Sequence, residues 1–242
     1  MNHTYLLLPL MGLMVPALSL ADVISGVKFS DFNQKVLIGR GVENTTAGFI
    51  AALGSTDPTV RMDAAQALGE RRGPESIAAL TAALSDGTLA VRYHAAKSLV
   101  AMKNVAGAAV LREASLDDSN LTGSIEAAGL LADLGDPSGY ERVLAGLRSA
   151  HPSTRLRAVV ELPKFRKFDG RMTAVGRIDT VGVLGEMLGS APGVATRVNA
   201  AYLLGRTGDE RARSALTAAA AGVDRTVADA ARIGLAALDQ RR

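Results

Sequence analysis

The chain has 242 residues, with 27 Lys or Arg against 24 Asp or Glu, 48% hydrophobic residues, and no cysteine or tryptophan. This balance predicts a folded chain of one or two domains and argues against wholesale disorder. The lack of cysteine excludes disulfide scaffolds, thiolate metal sites, cysteine nucleophiles and a lipidated lipoprotein. A formal charge of +3 is too small to indicate nucleic acid or an anionic membrane as a partner.

The first predicted element is a leader. Residues 6–20 form an uncharged apolar run, interrupted by two prolines and shorter than a membrane span of about 20 residues. Ser19 and Ala21 fit the small-residue pattern of a signal-peptidase site, which predicts a signal peptide at 1–21 and cleavage before Asp22. Since the excess of arginine over lysine favours a bacterial source, we expect a periplasmic or secreted protein. The stretch before the apolar run lacks Lys and Arg, so an uncleaved inner-membrane anchor is the alternative.

Residues 22–44 lie outside the repeating pattern that follows, and we predict that they form an N-terminal extension or cap. Val27, Phe29 and the apolar run 36–38 are expected to cover the first helix. A repeat array needs such a cover because its bare end exposes core. A partner-binding arm is the alternative interpretation.

From residue 45 onward, one short pattern recurs six times. Each copy has a pair of small or β-branched residues followed by an apolar position, and the copies start at residues 60, 91, 123, 154, 196 and 226. Periods of this size are typical of stacked repeats that bury their apolar stripes only against their neighbours. Each period holds two helical patterns with turn signals between them, as in Asp57-Pro58 before one helix and Ser85-Asp86-Gly87 after the next.

The most complete copy, DPTVRMDAAQALG at 57–69, resembles the short HEAT-like repeat of the phycobilisome (PBS) lyase type. The resemblance covers about residues 45–239 and extends the repeat domain to 45–242. It implies an all-α fold, a right-handed α-solenoid or α/α superhelix whose curved face is built from the second helices. The third and fourth copies depart from the pattern at Gly123-Ser124 and Val159. Because such arrays serve unrelated tasks, the resemblance says more about fold than about function.

Arginine recurs at one repeat position near a helix start, where the helix dipole disfavours a cation. The four copies are Arg61, Arg92, Arg155 and Arg197. In resembling families this arginine joins an aspartate ladder between repeats, and the candidate partners here are Asp57, Asp86 and Asp118. We therefore predict a structural ladder, and a repeating ligand-binding row is the alternative.

The predicted mature chain offers few groups for chemistry. Its two histidines, His94 and His151, lie about two periods apart and lack the glutamate neighbours of HEAT-type di-iron hydroxylases, so we predict no metal site. No nucleophile elbow, phosphate-binding loop or dinucleotide fingerprint is present. The prediction is a non-enzymatic protein without a cofactor. The lack of tryptophan and the small net charge argue against nucleic-acid binding.

The longest spacing between copies marks an insertion at about 163–177, of which 164–177 read KFRKFDGRMTAVGR. Exposed aromatic side chains beside arginines are typical of binding hot spots. The insertion therefore predicts a surface for a protein partner, acidic by charge complementarity. Its candidate residues are Lys164, Phe165, Arg166, Lys167, Phe168 and Arg171. The alternative is that both phenylalanines fold back onto the array and the charges only solvate a long loop.

The last copy, at 223–239, supplies a first helix without a second. Val227, Leu235 and Leu238 would then lack a covering helix, which predicts a modest tendency to self-associate through this end. Overall function is predicted to be that of an exported scaffold or adaptor that binds a protein along its curved face and the insertion. The alternative is an accessory factor that binds a small hydrophobic ligand or pigment, as the lyase resemblance implies. Membrane contact is expected only if the leader is retained.

Overall fold

The computed structural model describes residues 29–240, and the predicted signal peptide at 1–21 lies outside this range. The described part is helical apart from one short hairpin. Within residues 29–240, none of the helices has the length and apolar character needed to span a bilayer. Its α-helices are α1 Phe29–Gly39, α2 Thr46–Ala52, α3 Pro58–Arg71, α4 Pro74–Ala83, α5 Leu89–Ala101, α6 Ala108–Ser115, α7 Leu121–Asp133, α8 Tyr140–Leu147, α9 Pro152–Glu161, α10 Thr180–Ser190, α11 Val194–Thr207, α12 Ala212–Ala220 and α13 Arg225–Asp239.

Three short 3₁₀ helices and a two-stranded sheet complete the described part. The 3₁₀ segments Val105–Gly107 and Pro137–Gly139 lead into α6 and α8, and a third, Leu162–Phe168, follows α9. Strands β1 (Met172–Thr173) and β2 (Gly176–Arg177) pair antiparallel. The predicted insertion is therefore an ordered 3₁₀ turn followed by a β-hairpin.

The helices group into two compact units, one reaching to Met102 and the other starting at Lys103. In the first unit, α1 and α2 pack on α3, α3 packs on α5, and α4 packs against both. The N-terminal extension predicted at 22–44 contributes α1 to this unit, and its Leu37 is buried with Phe49, Leu68, Leu80 and Leu99. Residues 22–28 lie outside the described range.

In the second unit, two layers of helices follow the predicted alternation. The first helices α7, α9, α11 and α13 pack in succession. The second helices α8 and α12 each contact first helices on either side of them in sequence, whereas α10 contacts α11 and the 3₁₀ turn Leu162–Phe168. The alanine pairs lie at the buried crossings in both units: Ala64/Ala65, Ala95/Ala96, Ala127/Ala128, Ala200/Ala201 and Ala230/Ala231. Small side chains let the helix axes approach closely, so few aromatic residues are needed to fill the core.

The C-terminal helix α13 is covered within the chain. It packs against both α11 and α12, and this contact buries Val227 and Leu238 almost completely. Leu235 is partly buried against the same core. The expectation that these side chains lack cover is therefore wrong for Val227 and Leu238, because the preceding helix α12 folds back over them. Because these two side chains are covered within the chain, they give no reason to expect self-association at this end.

Candidate functional site

The repeat arginines hold the loop that precedes their own helix. Arg61, Arg92 and Arg155 each donate from Nη1 to the carbonyl oxygen six residues earlier, at 2.9, 3.1 and 2.7 Å. These carbonyl dipoles offset the unfavourable position of a cation at a helix N-terminus. The shared offset explains why the arginine recurs at one position of the repeat.

Arg61 and Arg197 each reach a carboxylate in a later loop. Arg61 binds Asp86 with two hydrogen bonds of 2.7 and 3.0 Å, and Arg197 Nη2 donates to Asp224 at 2.9 Å. The hydrogen bond from Arg61 holds the pKa of Asp86 below its ordinary value. Asp57 lies outside this set: it caps α3 and pairs with Arg40 at 2.9 Å.

Two further residues predicted for the ladder, Arg155 and Asp118, have partners other than each other or the repeat arginines. Arg155 Nη2 donates to the backbone carbonyl of Pro192 at 3.2 Å. The loop at 191–193 reads APG, and it has no carboxylate where the SDG loop at 85–87 has one. Asp118 pairs with Arg142 of α8 at 2.7 Å.

Phe165 and Phe168 belong to the core of the second unit, with exposed fractions of 0% and 4%. The 3₁₀ turn Leu162–Phe168 packs among α7, α8, α9 and α10 and directs both rings inward. The ring centroids of Tyr140 and Phe165 lie 5.5 Å apart, and those of Phe165 and Phe168 lie 6.3 Å apart. The interpretation of these two rings as exposed binding anchors is wrong, because they fill the space that opens where the insertion separates α9 from α10.

Within the described residues, the cations of the insertion divide into a group with carboxylate partners and a group without them. Lys164 Nζ lies 2.7 Å from Asp133 and 3.0 Å from Glu161. Arg166 donates to the backbone carbonyl of Thr207. These two side chains therefore stabilise the fold through contacts within the chain. Fewer of the cations predicted to bind a partner are then available to do so.

In the described part of the chain, Lys167 and Arg171 form the group without a carboxylate partner. Each places its cation 5.2 Å from the centroid of the Phe168 ring. Lys167 also donates to the carbonyl of Asp133 at 3.4 Å. Neither cation has a carboxylate partner within residues 34–240, and the same holds for the exposed Arg177. Cation–π contacts orient these charges without neutralising them.

Glu161 is a structural charge that the pattern did not single out. It occupies the repeat position of Ala67, Leu130 and Leu203, and its carboxylate is buried against α7. Burial raises its pKa, and the charge of Lys164 opposes this shift. The other copies of the repeat have no charged residue at this position, so the carboxylate was the available signal. Its ion pair with Lys164 ties α9 to the start of the insertion.

The β-hairpin carries the apolar side chains that are exposed in the insertion. We refer to residues 171–177 as the hairpin tip. Met172 and Val175 have exposed fractions of 71% and 54%. The hairpin closes through Gly170 N–H to the Ile178 carbonyl and Ile178 N–H to the Arg171 carbonyl, both at 2.9 Å. The surface that sequence reasoning assigned to phenylalanines is therefore formed by Met172 and Val175.

A shallow groove of about 370 Å³ runs beside the hairpin tip. Thr173 and Ala174 of the hairpin line it together with Asp136, Pro137, Ser138, Tyr140 and Glu141. Asp136 is paired with Arg112 at 2.7 Å. Across residues 34–240, no three His, Asp or Glu side chains converge to hold a metal ion. His151 directly precedes α9 without a side-chain cap bond, and His94 lies within α5.

Family models match two stretches of the chain. The model described as HEAT repeats matches residues 46–132, and the model of the PBS lyase HEAT-like repeat matches residues 196–222. This chain contains HEAT repeats. The resemblance carried by residues 57–69 is thereby confirmed. A search of curated proteins gave no match.

Solved structures resemble the chain at low sequence identity. An engineered protein, Northeast Structural Genomics Consortium target OR329, is 19% identical with a TM-score of 0.50, over 81% of this chain and 97% of that one. The complex of CpcE and CpcF of phycocyanin lyase from Nostoc sp. PCC7120 is 17% identical with a TM-score of 0.45, over 98% and 99%. The likeness to the engineered protein concerns the fold alone and does not extend to function.

Proposed function

We propose that this chain is an exported, non-enzymatic HEAT-repeat scaffold that binds a protein partner. Its repeats would form one α-solenoid, and part of the contact surface would lie on the insertion. HEAT repeats support this proposal because arrays of helical pairs present extended surfaces on a rigid frame. Export is proposed from the predicted leader, and mass spectrometry of the mature protein should find Asp22 at its N-terminus.

One observation carries the proposal: the insertion is built as a fixed element. The base of the insertion is held in the core by the rings of Phe165, Phe168 and Tyr140. The ion pair of Lys164 with Glu161 adds to this anchor. Asp169 extends this anchor by accepting from the N–H and the hydroxyl of Thr180, both at 3.0 Å. Ordering a segment costs about 1–2 kcal/mol per residue in backbone entropy, which a mere connection does not require. The placement of the hairpin tip is therefore proposed to matter for binding.

The test is crosslinking in the cells that carry the gene, followed by purification of the full-length chain through a tag. Wild type is compared with a variant that replaces Met172 and Val175 by serine. Val223→Ser, which alters another exposed valine of the second unit, is the matched control. We expect one protein to be recovered in near-stoichiometric amount with wild type and control, and less of it with the tip variant.

Two results would contradict the scaffold proposal. One is the absence of any crosslinked protein under conditions where the chain is folded and exported. The other is a bound pigment or small hydrophobic molecule in native mass spectrometry, which would favour the accessory-factor alternative. Phe165→Ala is unsuitable for either experiment because this ring is part of the core.

A further inference from the structure

We propose that the hairpin tip, residues 171–177, recognises an acidic protein segment in which carboxylates flank an apolar side chain. This inference rests on the scaffold function proposed above and adds the chemistry of the partner. The surface consists of two exposed apolar side chains, Met172 and Val175, beside the cations Arg171 and Arg177.

The register of the hairpin places an apolar group and a cation side by side. Met172 lies opposite Arg177, and Thr173 lies opposite Gly176. Residues opposite each other in an antiparallel pair share a face, with Cβ atoms about 5 Å apart. Met172 and Arg177 therefore occupy one face, whereas Thr173 belongs to the other face and lines the groove. An apolar side chain and a carboxylate that are neighbours in a partner would match this spacing.

The charges around the hairpin tip are positive and uncompensated. Lys167, Arg171 and Arg177 have no carboxylate partner within residues 34–240, in contrast to Lys164, which pairs with Asp133 and Glu161. A partner carboxylate would thus gain attraction without displacing an internal ion pair. Apolar contact with Met172 and Val175 would supply the remaining contact energy.

The surroundings favour a narrow protein segment over a lipid surface. Glu141 lines the same groove as Thr173 and has no cation partner within residues 34–240. A planar anionic bilayer brought against the hairpin tip would also approach this carboxylate and be repelled by it. A peptide segment can contact the hairpin tip alone.

The binding surface is held in place before any partner arrives. The guanidinium of Arg171 lies over the Phe168 ring, and the hydroxyl of Thr173 donates to the Gly176 carbonyl at 2.8 Å. A preorganised surface loses less conformational entropy on binding than a mobile loop does. The buried rings of the insertion thus contribute to binding through the position of the hairpin tip.

The test is selection of displayed random peptides on the purified, folded chain, followed by fluorescence anisotropy with one synthesised selected peptide. We expect the selected peptides to carry Asp or Glu on both sides of an apolar residue. Arg171→Glu/Arg177→Glu and Met172→Ser/Val175→Ser should each weaken binding by about tenfold or more. Glu141→Lys is the charge control and should leave binding unchanged or strengthen it. Circular dichroism confirms that each variant is folded.

Several outcomes would overturn the inference. They are failure to enrich any peptide, enrichment of basic or uncharged peptides, and equal binding by wild type and both double variants. Sedimentation with phosphatidylglycerol-containing vesicles, lost on Met172→Ser/Val175→Ser, would overturn it in favour of a lipid surface. Peptides that bind equally to the double variants would leave the scaffold proposal standing. That proposal fails separately if crosslinking in cells finds no protein.

Discussion

The same arginine position is used differently in two of the repeats, one from each unit. In the first unit Arg61 meets the carboxylate of Asp86 through two hydrogen bonds. In the second unit Arg155 is nearly buried, and its hydrogen bonds go to the carbonyls of Ser149, Ala150 and Pro192. The comparison shows that a guanidinium at this position links two loops, and that either a carboxylate or a carbonyl can accept its hydrogen bonds.

The regular and the interrupted repeats also differ in how their cores are filled. The regular repeats use alanine pairs and leucines, whereas the interrupted one adds two phenylalanines and the buried carboxylate of Glu161. The extra side chains stand where the chain leaves the repeat to form the hairpin. The difference indicates that the interruption is built into the core rather than added at the surface.

The largest effect is expected from truncating the buried ring. Phe165→Ala should lower the free energy of unfolding by about 3–5 kcal/mol, because a large side chain is lost from a packed core. Chemical denaturation followed by circular dichroism measures this change. Met172→Ala is the matched control and should stay within about 0.5 kcal/mol of wild type. Equal effects of the two substitutions would place Phe165 outside the core.

A close contact between α7 and Glu161 gives the second prediction. A Cβ at Gly129 would overlap the Glu161 carboxylate, so Gly129→Ala should destabilise the fold by about 1–3 kcal/mol. The penalty should shrink when Glu161 is also replaced by alanine, since the overlap is then removed. An unchanged penalty in the double variant would show that another neighbour causes the strain.

Much of this organisation could be predicted from the sequence, and the rest depended on distant contacts. The repeat period and the arginine position were readable because each is a local pattern repeated several times. The direction of the Phe165 and Phe168 rings was not readable, because aromatic residues beside arginines look the same whether the rings turn inward or outward. That choice is made by α7, α8 and α10, which lie outside the insertion. The cover over Leu238 was missed for the same reason, because it comes from another helix, α12.

The third prediction sharpens the comparison of the two arginines through pH. The pKa of Asp86 is lowered by its hydrogen bond from Arg61, so its stabilising contribution is present above the ordinary Asp pKa of 3.8 and declines as the pH falls below that value. Asp86→Asn should remove this part of the acid sensitivity and lower stability at neutral pH. Arg155→Lys should leave the acid sensitivity of stability unchanged, because the acceptors of Arg155 are carbonyls that do not titrate. Equal pH profiles for wild type and Asp86→Asn would contradict the pair.

The smallest predicted effect concerns Glu161. Burial raises the pKa of this carboxyl above its ordinary value of 4.5, so the folded state holds its proton more tightly than the unfolded state. This contribution to stability is present below pH 4.5 and is lost as the pH rises through the folded-state pKa. Glu161→Gln should flatten that decline in denaturation profiles taken at several pH values. A profile identical to wild type would show that Lys164 neutralises the burial effect completely.

Hydrogen exchange at the insertion tests the central claim most directly. The amides of Gly170, Ile178 and Thr180 are bonded to the Ile178 carbonyl, the Arg171 carbonyl and Asp169 respectively. If the insertion is anchored in the core, these three amides should exchange slowly, while those of Ala174 and Val175 at the hairpin tip exchange fast. Fast exchange throughout residues 165–180 would show a mobile loop and contradict the account.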